Sequence, residues 1–149
     1  MIKEKKFIHK KSLGQNFLNS PVVPKWMVLA ADIIPDETVL EIGPGTGALT
    51  RELLAAGAKV IALEADTRAI EILEKNFSDA CSRGTLEVHH ADVRKLDLAK
   101  LGLVSHQFKV VANIPYYLTG FLFRTILENS IQPNQLVFLV QKEVARRAC

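Results

Sequence analysis

Apolar and polar positions follow two patterns along this chain, short apolar runs and longer amphipathic stretches. Short apolar runs between turn residues are typical of buried strands, whereas apolar residues three and four positions apart are typical of helices. Five runs predict strands, at residues 39–42, 60–63, 86–89, 110–112 and 136–140. The last run is apolar without interruption, which is typical of a strand buried inside a parallel sheet.

Helical stretches lie before and between these runs, at about residues 21–30, 48–57, 67–77 and 118–127. Ser20 is predicted to cap the first helix, with Pro21 at its first helical position, and Asp66 to cap the third. We expect Trp26 to pack the first helix against its neighbours, and Phe121 to lie in the core. Strands alternating with helices predict an α/β fold with a Rossmann-like parallel sheet and right-handed crossovers.

A glycine-rich turn follows the first predicted strand and leads into a predicted helix. The segment has the form Glu41-x-Gly43-x-Gly45-x-Gly47, and it also fits the dinucleotide fingerprint Gly43-x-Gly45-x-x-Ala48. A strand, glycine turn and helix N-terminus in this order commonly bind a nucleoside cofactor. Glu64 ends the next strand, roughly 20 residues on, where an acid can hold ribose hydroxyls. The turn thus fits either NAD or S-adenosylmethionine (SAM).

A second motif, Asn113-Ile114-Pro115-Tyr116, follows the fourth predicted strand and favours SAM. This arrangement suits methylation of an exocyclic amine, whose lone pair is delocalised into the base. The side-chain oxygen of Asn113 and the backbone carbonyl of Ile114 can both accept from that amine, a preorganised polar environment for the developing charge. Pro115 stiffens the loop. Tyr116 offers a ring on which a base can stack, with Tyr117 at most a wall of that pocket.

Taken together, these motifs resemble the N-terminal catalytic region of the rRNA adenine dimethyltransferases. The resemblance is to the KsgA-like small-subunit enzymes, with the erythromycin-resistance methylases as cousins. It extends over nearly the whole chain, through segments 11–18, 39–50, 91–93, 113–117 and 141–147 together with Glu64. Gly-Gln-Asn-Phe-Leu at 14–18 combined with Asn-Ile-Pro-Tyr at 113–116 is its most specific part.

The resemblance implies a role for each matching position. Asn16 and Leu18 would form a lid over the cofactor. Gly43 and Gly45 would contact its methionine part. The remaining expected contacts are Glu64 with the ribose hydroxyls, Asp92 with the adenine amino group, Asn113 with both the methionine end and the target amine, and Tyr116 with the target base.

The implied reaction adds two methyl groups to the N6 amines of each of two adjacent adenosines near the 3′ end of small-subunit rRNA. S-adenosylhomocysteine (SAH) would be the product, the pre-30S particle the partner, and ribosome biogenesis the context. The full-length protein would be a cytoplasmic monomer. The alternatives are a non-catalytic RNA-binding or ribosome-assembly factor, a large-subunit rRNA methylase conferring macrolide resistance, and an NAD-dependent oxidoreductase supported by the glycine turn alone.

Charge adds one feature, a basic N-terminal segment. The net charge of the 149-residue chain is only +3, but five lysines fall within the first eleven residues. Such arms commonly contact phosphate backbones, although charge alone favours a solvated tail. Together with the family resemblance, the segment predicts that Lys5, Lys6, Lys10 and Lys11 contact RNA. No run approaches the roughly 20 apolar residues of a membrane span. No metal site is expected at His89, His90 and Asp92, because neighbouring strand residues point to opposite faces.

Length gives the last expectation. The family resembled here carries a seven-stranded sheet and a small C-terminal helical domain, whereas the sequence predicts five strands. We expect residues 1–19 to form the basic arm and lid, and residues 20–149 to form a methyltransferase domain that stops after its fifth strand. Residues 136–140 would then be an exposed apolar edge that promotes association.

Overall fold

A computed structural model describes residues 20–148, and within them it places a five-stranded, wholly parallel sheet. The strand order is β3-β2-β1-β4-β5, which confirms the predicted Rossmann-like α/β class. The strands are β1 (Thr38–Ile42), β2 (Lys59–Glu64), β3 (Leu86–His90), β4 (Phe108–Asn113) and β5 (Gln135–Leu139). Each lies within two residues of its predicted bounds.

Six helices precede, connect or follow these strands in the described part of the chain. They are α1 (Val22–Ala31), α2 (Ala48–Ala55), α3 (Thr67–Asn76), α4 (Ser78–Ser82), α5 (Thr119–Leu127) and α6 (Lys142–Ala148). Short 3-10 turns lie at Val93–Lys95, Leu98–Leu101 and Tyr116–Leu118. Helix α4, helix α6 and the turns at 93–95 and 98–101 were not among the predicted elements.

The start of α1 lies one residue later than predicted. Pro21 occupies the N-cap position, and the hydroxyl of Ser20 accepts a hydrogen bond from the backbone N–H of Val22 at 3.3 Å. At α3 the predicted cap is present, since the Asp66 side chain accepts from the backbone N–H of Arg68. Both helices therefore begin with a polar side chain satisfying a backbone donor that has no partner within the helix.

The hydrophobic core forms one layer on each face of the sheet. Successive strand residues point to opposite faces, so Val39 and Val111 enter one layer while Leu40 and Val110 enter the other. Helices α1 and α2 cover the first layer through residues such as Met27 and Leu53. Helix α5 covers the second layer through Leu122 and Ile126.

Two aromatic residues expected in the core are at the surface instead. Trp26 is 64% exposed, because Met27 and Ala31 set the buried face of α1 and turn the preceding residue outward. Phe121 is also exposed, since Leu122 and Ile126 occupy the inward face of α5. An apolar residue in a short helix is thus a poor guide to the buried face when several apolar positions compete.

Of the two expectations for the last strand, the edge position is observed among the described strands, whereas the full burial suggested by its apolar run is wrong. Every residue of β5 is only half-buried, because β5 pairs with β4 on one side and no described strand lies on the other. Val137 still packs towards one core layer and Phe138 towards the other, where its ring meets Phe123 edge-on at 4.8 Å. The run is apolar without interruption because the side chains on both faces of this edge strand pack towards a core layer.

The strand order positions a binding site. The chain moves outward from β1 to β3, then returns to the other side of β1 with β4. Ligands of open α/β sheets bind at such a reversal, beyond the carboxyl ends of the strands. In residues 20–148 none of the helices is long and apolar enough to cross a membrane.

Candidate functional site

A cavity of about 490 Å³ opens at this reversal, beyond the carboxyl ends of β1, β2 and β4. Its wall includes the glycine turn after β1, the end of β2, the segment after β3 and the start of the loop after β4. The predicted site residues that line it are Gly43, Gly45, Glu64, Asp92, Asn113 and Pro115. Residues far apart in sequence therefore meet because parallel strands end at one edge of the sheet.

The glycine turn depends on backbone conformations that suit glycine. Gly43, Gly45 and Gly47 all have positive φ, at 70°, 58° and 93°. A Cβ atom at Gly47 would also lie 2.4 Å from the ring of Phe77, so this position needs glycine for space as well. The turn can thus present its backbone to the cavity while α2 packs closely against the end of α3.

Glu64 joins the end of β2 to the glycine turn. Its Oε2 accepts from the backbone N–H of Gly45 at 3.0 Å, and its Oε1 accepts from those of Ala65 and Asp66 at 2.8 and 3.0 Å. The residue is buried, at the cavity wall. Three backbone donors orient the carboxylate, so the group predicted to hold ribose hydroxyls also holds the turn in place.

Asp92 lies on the cavity wall in a tight pair with Arg94. Its Oδ1 accepts from the backbone N–H of Arg94 at 2.9 Å, and the guanidinium donates to Oδ2 at 2.6 Å. These hydrogen bonds lower the pKa of Asp92 to about 2. The carboxylate is therefore ionised and can only accept hydrogen bonds, as contact with an amino group requires. The sequence prediction missed Arg94, whose pairing depends on the 3-10 turn.

The Asn113–Tyr116 motif divides between cavity, core and surface. Asn113 ends β4 on the cavity wall, followed by Pro115, whereas the Ile114 side chain is buried in the core. Tyr116 is 61% exposed and does not line the cavity, but Tyr117 does. Their rings meet edge-to-face at 5.7 Å. The pair forms an aromatic rim in which Tyr117 is nearer the cavity than the sequence suggested.

Glu41 is a site residue that sequence reasoning quoted only as part of the glycine motif. It lies on β1, is fully buried and lines the cavity. Its Oε2 accepts from the Thr50 hydroxyl at 2.7 Å, while its buried Oε1 has no hydrogen-bond partner within residues 20–148. Burial raises the pKa of Glu41 to about 8. An acid inside the apolar run 39–42 was the available signal.

Six predicted site residues fall outside the part of the chain that the structure describes, so their roles stay predictions. They are Asn16, Leu18, Lys5, Lys6, Lys10 and Lys11. His89 Nε2 lies 3.3 Å from a carboxylate oxygen of Glu87, and His90 Nε2 lies 3.2 Å from the carbonyl oxygen of Ala65. Between residues 20 and 148, no cluster of three or more His, Cys, Asp or Glu side chains could hold a metal ion.

Sequence comparison connects this site to a known family. The family of ribosomal RNA adenine dimethylases matches residues 6–149. The chain belongs to this family. The ribosomal RNA small subunit methyltransferase A of Ligilactobacillus salivarius is 42% identical over 142 residues, which are 93% of this chain and 47% of that protein. The chain therefore spans about half the length of the curated relatives it matches.

Solved structures of two transferases share the fold. A dimethyladenosine transferase from Plasmodium falciparum superposes with a TM-score of 0.73 at 31% identity, covering 89% of this chain and 46% of that one. The 23S rRNA methyltransferase ErmE superposes with a TM-score of 0.71 at 29% identity, covering 88% and 50%. The predicted family and the fold of a SAM-dependent methyltransferase are thus confirmed.

The residues at the cavity fit the cofactor that this family uses. SAM combines a polar adenosine with a cationic methionine part. The buried acids Glu64 and Glu41 and the ionised Asp92 supply acceptors around a glycine turn that leaves room for a ligand. The Oε1 of Glu41, for which residues 20–148 provide no hydrogen-bond partner, is a polar atom in the cavity wall that a polar or cationic ligand would satisfy.

Proposed function

We propose that this chain binds SAM and forms the catalytic part of an rRNA adenine dimethyltransferase. One observation carries the proposal. The glycine turn after β1 lines the same cavity as Asn113 and Pro115 of the motif after β4. The turn accounts for a nucleoside cofactor, and the motif accounts for an amine as the acceptor. An NAD-dependent oxidoreductase would explain the turn and leave the motif without a role.

The cofactor supplies an electrophilic methyl group on its sulfonium sulfur, and the chain orients the acceptor. Asn113 lies at the cavity wall, where its side-chain oxygen can accept from the target amine. The Ile114 carbonyl provides the second acceptor, and Pro115 limits the backbone freedom of the loop. Two fixed acceptors favour a pyramidal, nucleophilic nitrogen and stabilise its developing positive charge. Tyr116 and Tyr117 provide ring faces on which an unpaired adenine can stack.

The substrate we propose is the pair of adjacent adenosines near the 3′ end of small-subunit rRNA, within a pre-30S particle, during ribosome biogenesis in the cytoplasm. The relatives named small subunit methyltransferase A support this choice. The similarity to the 23S rRNA methyltransferase ErmE supports a large-subunit adenine as a second candidate. A ribosome-assembly factor without turnover is the third.

Calorimetric titration with SAM, SAH and NAD in parallel tests the cofactor. We expect micromolar binding of SAM and SAH and none of NAD. Binding of NAD alone would favour the oxidoreductase, and binding of none would contradict the cofactor assignment for this chain. Transfer of labelled methyl groups to undermethylated 30S subunits, with 50S subunits and 23S rRNA as controls, then separates the small-subunit enzyme from its two alternatives.

A further inference from the structure

We infer that Glu41 is a proton-releasing binding residue, protonated in the ligand-free cavity and ionised when a cationic cofactor binds. The inference rests on the proposed function, because it takes SAM as the cation. It goes beyond that function by assigning Glu41 a specific electrostatic role. The group that moves is a proton, which passes from the carboxyl group to solvent or buffer as the ligand's positive charge arrives.

The geometry leaves one oxygen of Glu41 for a ligand. Thr50, itself fully buried on α2, donates to Oε2 at 2.7 Å and fixes the carboxyl group. Oε1 is buried, and no partner for it lies within the described residues. Burying a polar atom without a hydrogen-bond partner is unfavourable. A ligand that pairs with Oε1 removes this cost, which gives the cavity a preference for a ligand with a cation or donor at this point.

The charges on the cavity wall explain why the proton stays until a cation binds. Burial raises the pKa of Glu41 to about 8, the Thr50 hydrogen bond opposes the rise, and the charge of Glu64 adds to it. The other titratable or charged groups on the wall are Glu64 from β2, His90 from β3, the ion pair Asp92–Arg94, and Tyr117. Arg94 already pairs with Asp92, so a cationic ligand is the natural counterion for Glu41.

An arriving cation reverses this balance. An opposite charge within about 4–6 Å favours the ionised carboxylate and lowers its pKa. SAM carries a sulfonium and an α-ammonium group, whereas SAH keeps only the ammonium. If Glu41 pairs with the sulfonium, methyl transfer removes its partner and weakens product binding relative to the cofactor.

Calorimetry in buffers of different ionisation enthalpy, such as phosphate and Tris at pH 7, measures the protons released on binding. We expect SAM to release most of one proton. SAM affinity should rise by up to about tenfold per pH unit as the pH approaches 8 from below, then level off. Release with SAM alone assigns the sulfonium as the partner, and equal release with SAH assigns the ammonium. Either result supports the inference.

Two variants, each with a control, test whether Glu41 is the group that releases the proton. Glu41→Gln keeps the shape and cannot ionise, so proton release and the pH slope should disappear. Glu71→Gln removes an exposed carboxylate from α3 and should change neither. Thr50→Val removes the hydrogen bond that lowers the pKa of Glu41, so the levelling of affinity should move to higher pH. Thr50→Ser keeps the hydroxyl and should behave like the unmodified chain.

The possible results test the inference about Glu41 separately from the proposed function. SAM binding without proton release overturns the inference and leaves the proposed function standing. Unchanged proton release in a folded Glu41→Gln variant also overturns it, because the proton must then come from another group. Should Glu41→Gln not fold, the Thr50→Val shift decides, and an unmoved pH profile counts against Glu41. Absence of SAM binding at every pH would contradict both the inference and the proposed function.

Discussion

At the scale of single residues, Glu41 is the clearest case of a group kept at a cost to folding. A carboxyl group that is fully buried loses its hydration when it ionises, and one hydrogen bond from Thr50 does not replace it. The protein therefore tolerates Glu41 more easily in its neutral form. An apolar or amide side chain at this position would be sufficient for folding. The presence of an acid therefore indicates a binding role.

The first prediction follows from the pKa of Glu41, raised from 4.5 to about 8. The folded chain binds the proton more tightly than the unfolded chain, so this stabilisation is complete below about pH 4.5 and is lost as the pH rises to 8. Relative to Glu41→Gln, the free energy of unfolding should fall by up to about 1.4 kcal/mol per pH unit in this window. Urea unfolding followed by circular dichroism measures it, and parallel profiles of the two proteins would refute it.

The second prediction separates cofactor contact from base contact. Glu64 is buried at the cavity wall, whereas Tyr116 is exposed and lies outside that wall. Glu64→Gln should weaken SAM binding by roughly tenfold or more, the loss of about one charge-assisted hydrogen bond. Tyr116→Ala should leave SAM affinity unchanged and lower methyl transfer to RNA. Calorimetry and a methyl-transfer assay measure the two effects, and an equal loss of SAM affinity in both variants would contradict these roles.

How far the site could be predicted from sequence varies among its residues. Glu64, Asp92 and Asn113 follow strand ends, so a parallel sheet brings them to one edge by topology alone. The Asp92–Arg94 pair and the cavity-facing position of Tyr117 could not be predicted, because they depend on 3-10 turns with no clear sequence pattern. The burial of Glu41 could be guessed from its apolar neighbours, but its hydrogen bond from Thr50 depends on the packing of α2.

At the scale of elements, the turn between β1 and α2 also determines how α3 can pack. Gly47 is the N-cap of α2, and the space beside its Cα is occupied by Phe77 and Leu73 from the region of α3. The glycine turn is therefore a structural contact between helices as well as part of the cavity wall. Gly47 provides the contact between the helices, whereas Gly43 and Gly45 line the cavity.

The third prediction compares two glycines with similar backbones and different surroundings. Gly47→Ala would place a side chain at φ 93° and bring its Cβ within 2.4 Å of the Phe77 ring. Gly84→Ala would have φ 70°, with no atom within 4 Å. We expect the second to cost about 1–2 kcal/mol from conformation alone, and the first about 1–3 kcal/mol more from overpacking. Urea unfolding tests this, and equal losses would mean that α3 adjusts freely.

The elements themselves were largely predictable, with informative exceptions. Four of the five strands have apolar residues on both faces, β3 has them on one face only, and all five sequence runs fall close to the observed bounds. The apolar runs gave no means of ranking strands by burial, so the edge position of β5 was expected from the number of predicted strands and not from its own run. Helix α4 has five residues and begins directly after α3, too short for a periodic pattern to separate it.

At the scale of the whole molecule, two layers of helices around one sheet bury the core and leave the strand ends for binding. Lys109 connects the sheet to one of these helices. Its ammonium group donates to the carbonyl oxygens of Ala31 and Asp32 at the end of α1, both at 2.8 Å, and pairs with Glu37 at 3.0 Å. A cation at a helix C-terminus is favourable, so one side chain from β4 anchors α1 over the sheet.

The last prediction concerns the outer edge of β5. Gln135–Leu139 is a half-buried strand with apolar side chains, and no described strand pairs with its far side. Unpaired N–H and C=O groups on such an edge favour pairing with a second chain. We expect the 149-residue chain to associate as its concentration rises, measured by sedimentation velocity over a hundredfold range. Added salt is the control, because it weakens association through charge and leaves strand pairing in place. A single monomeric species at every concentration would show that this edge is protected in solution.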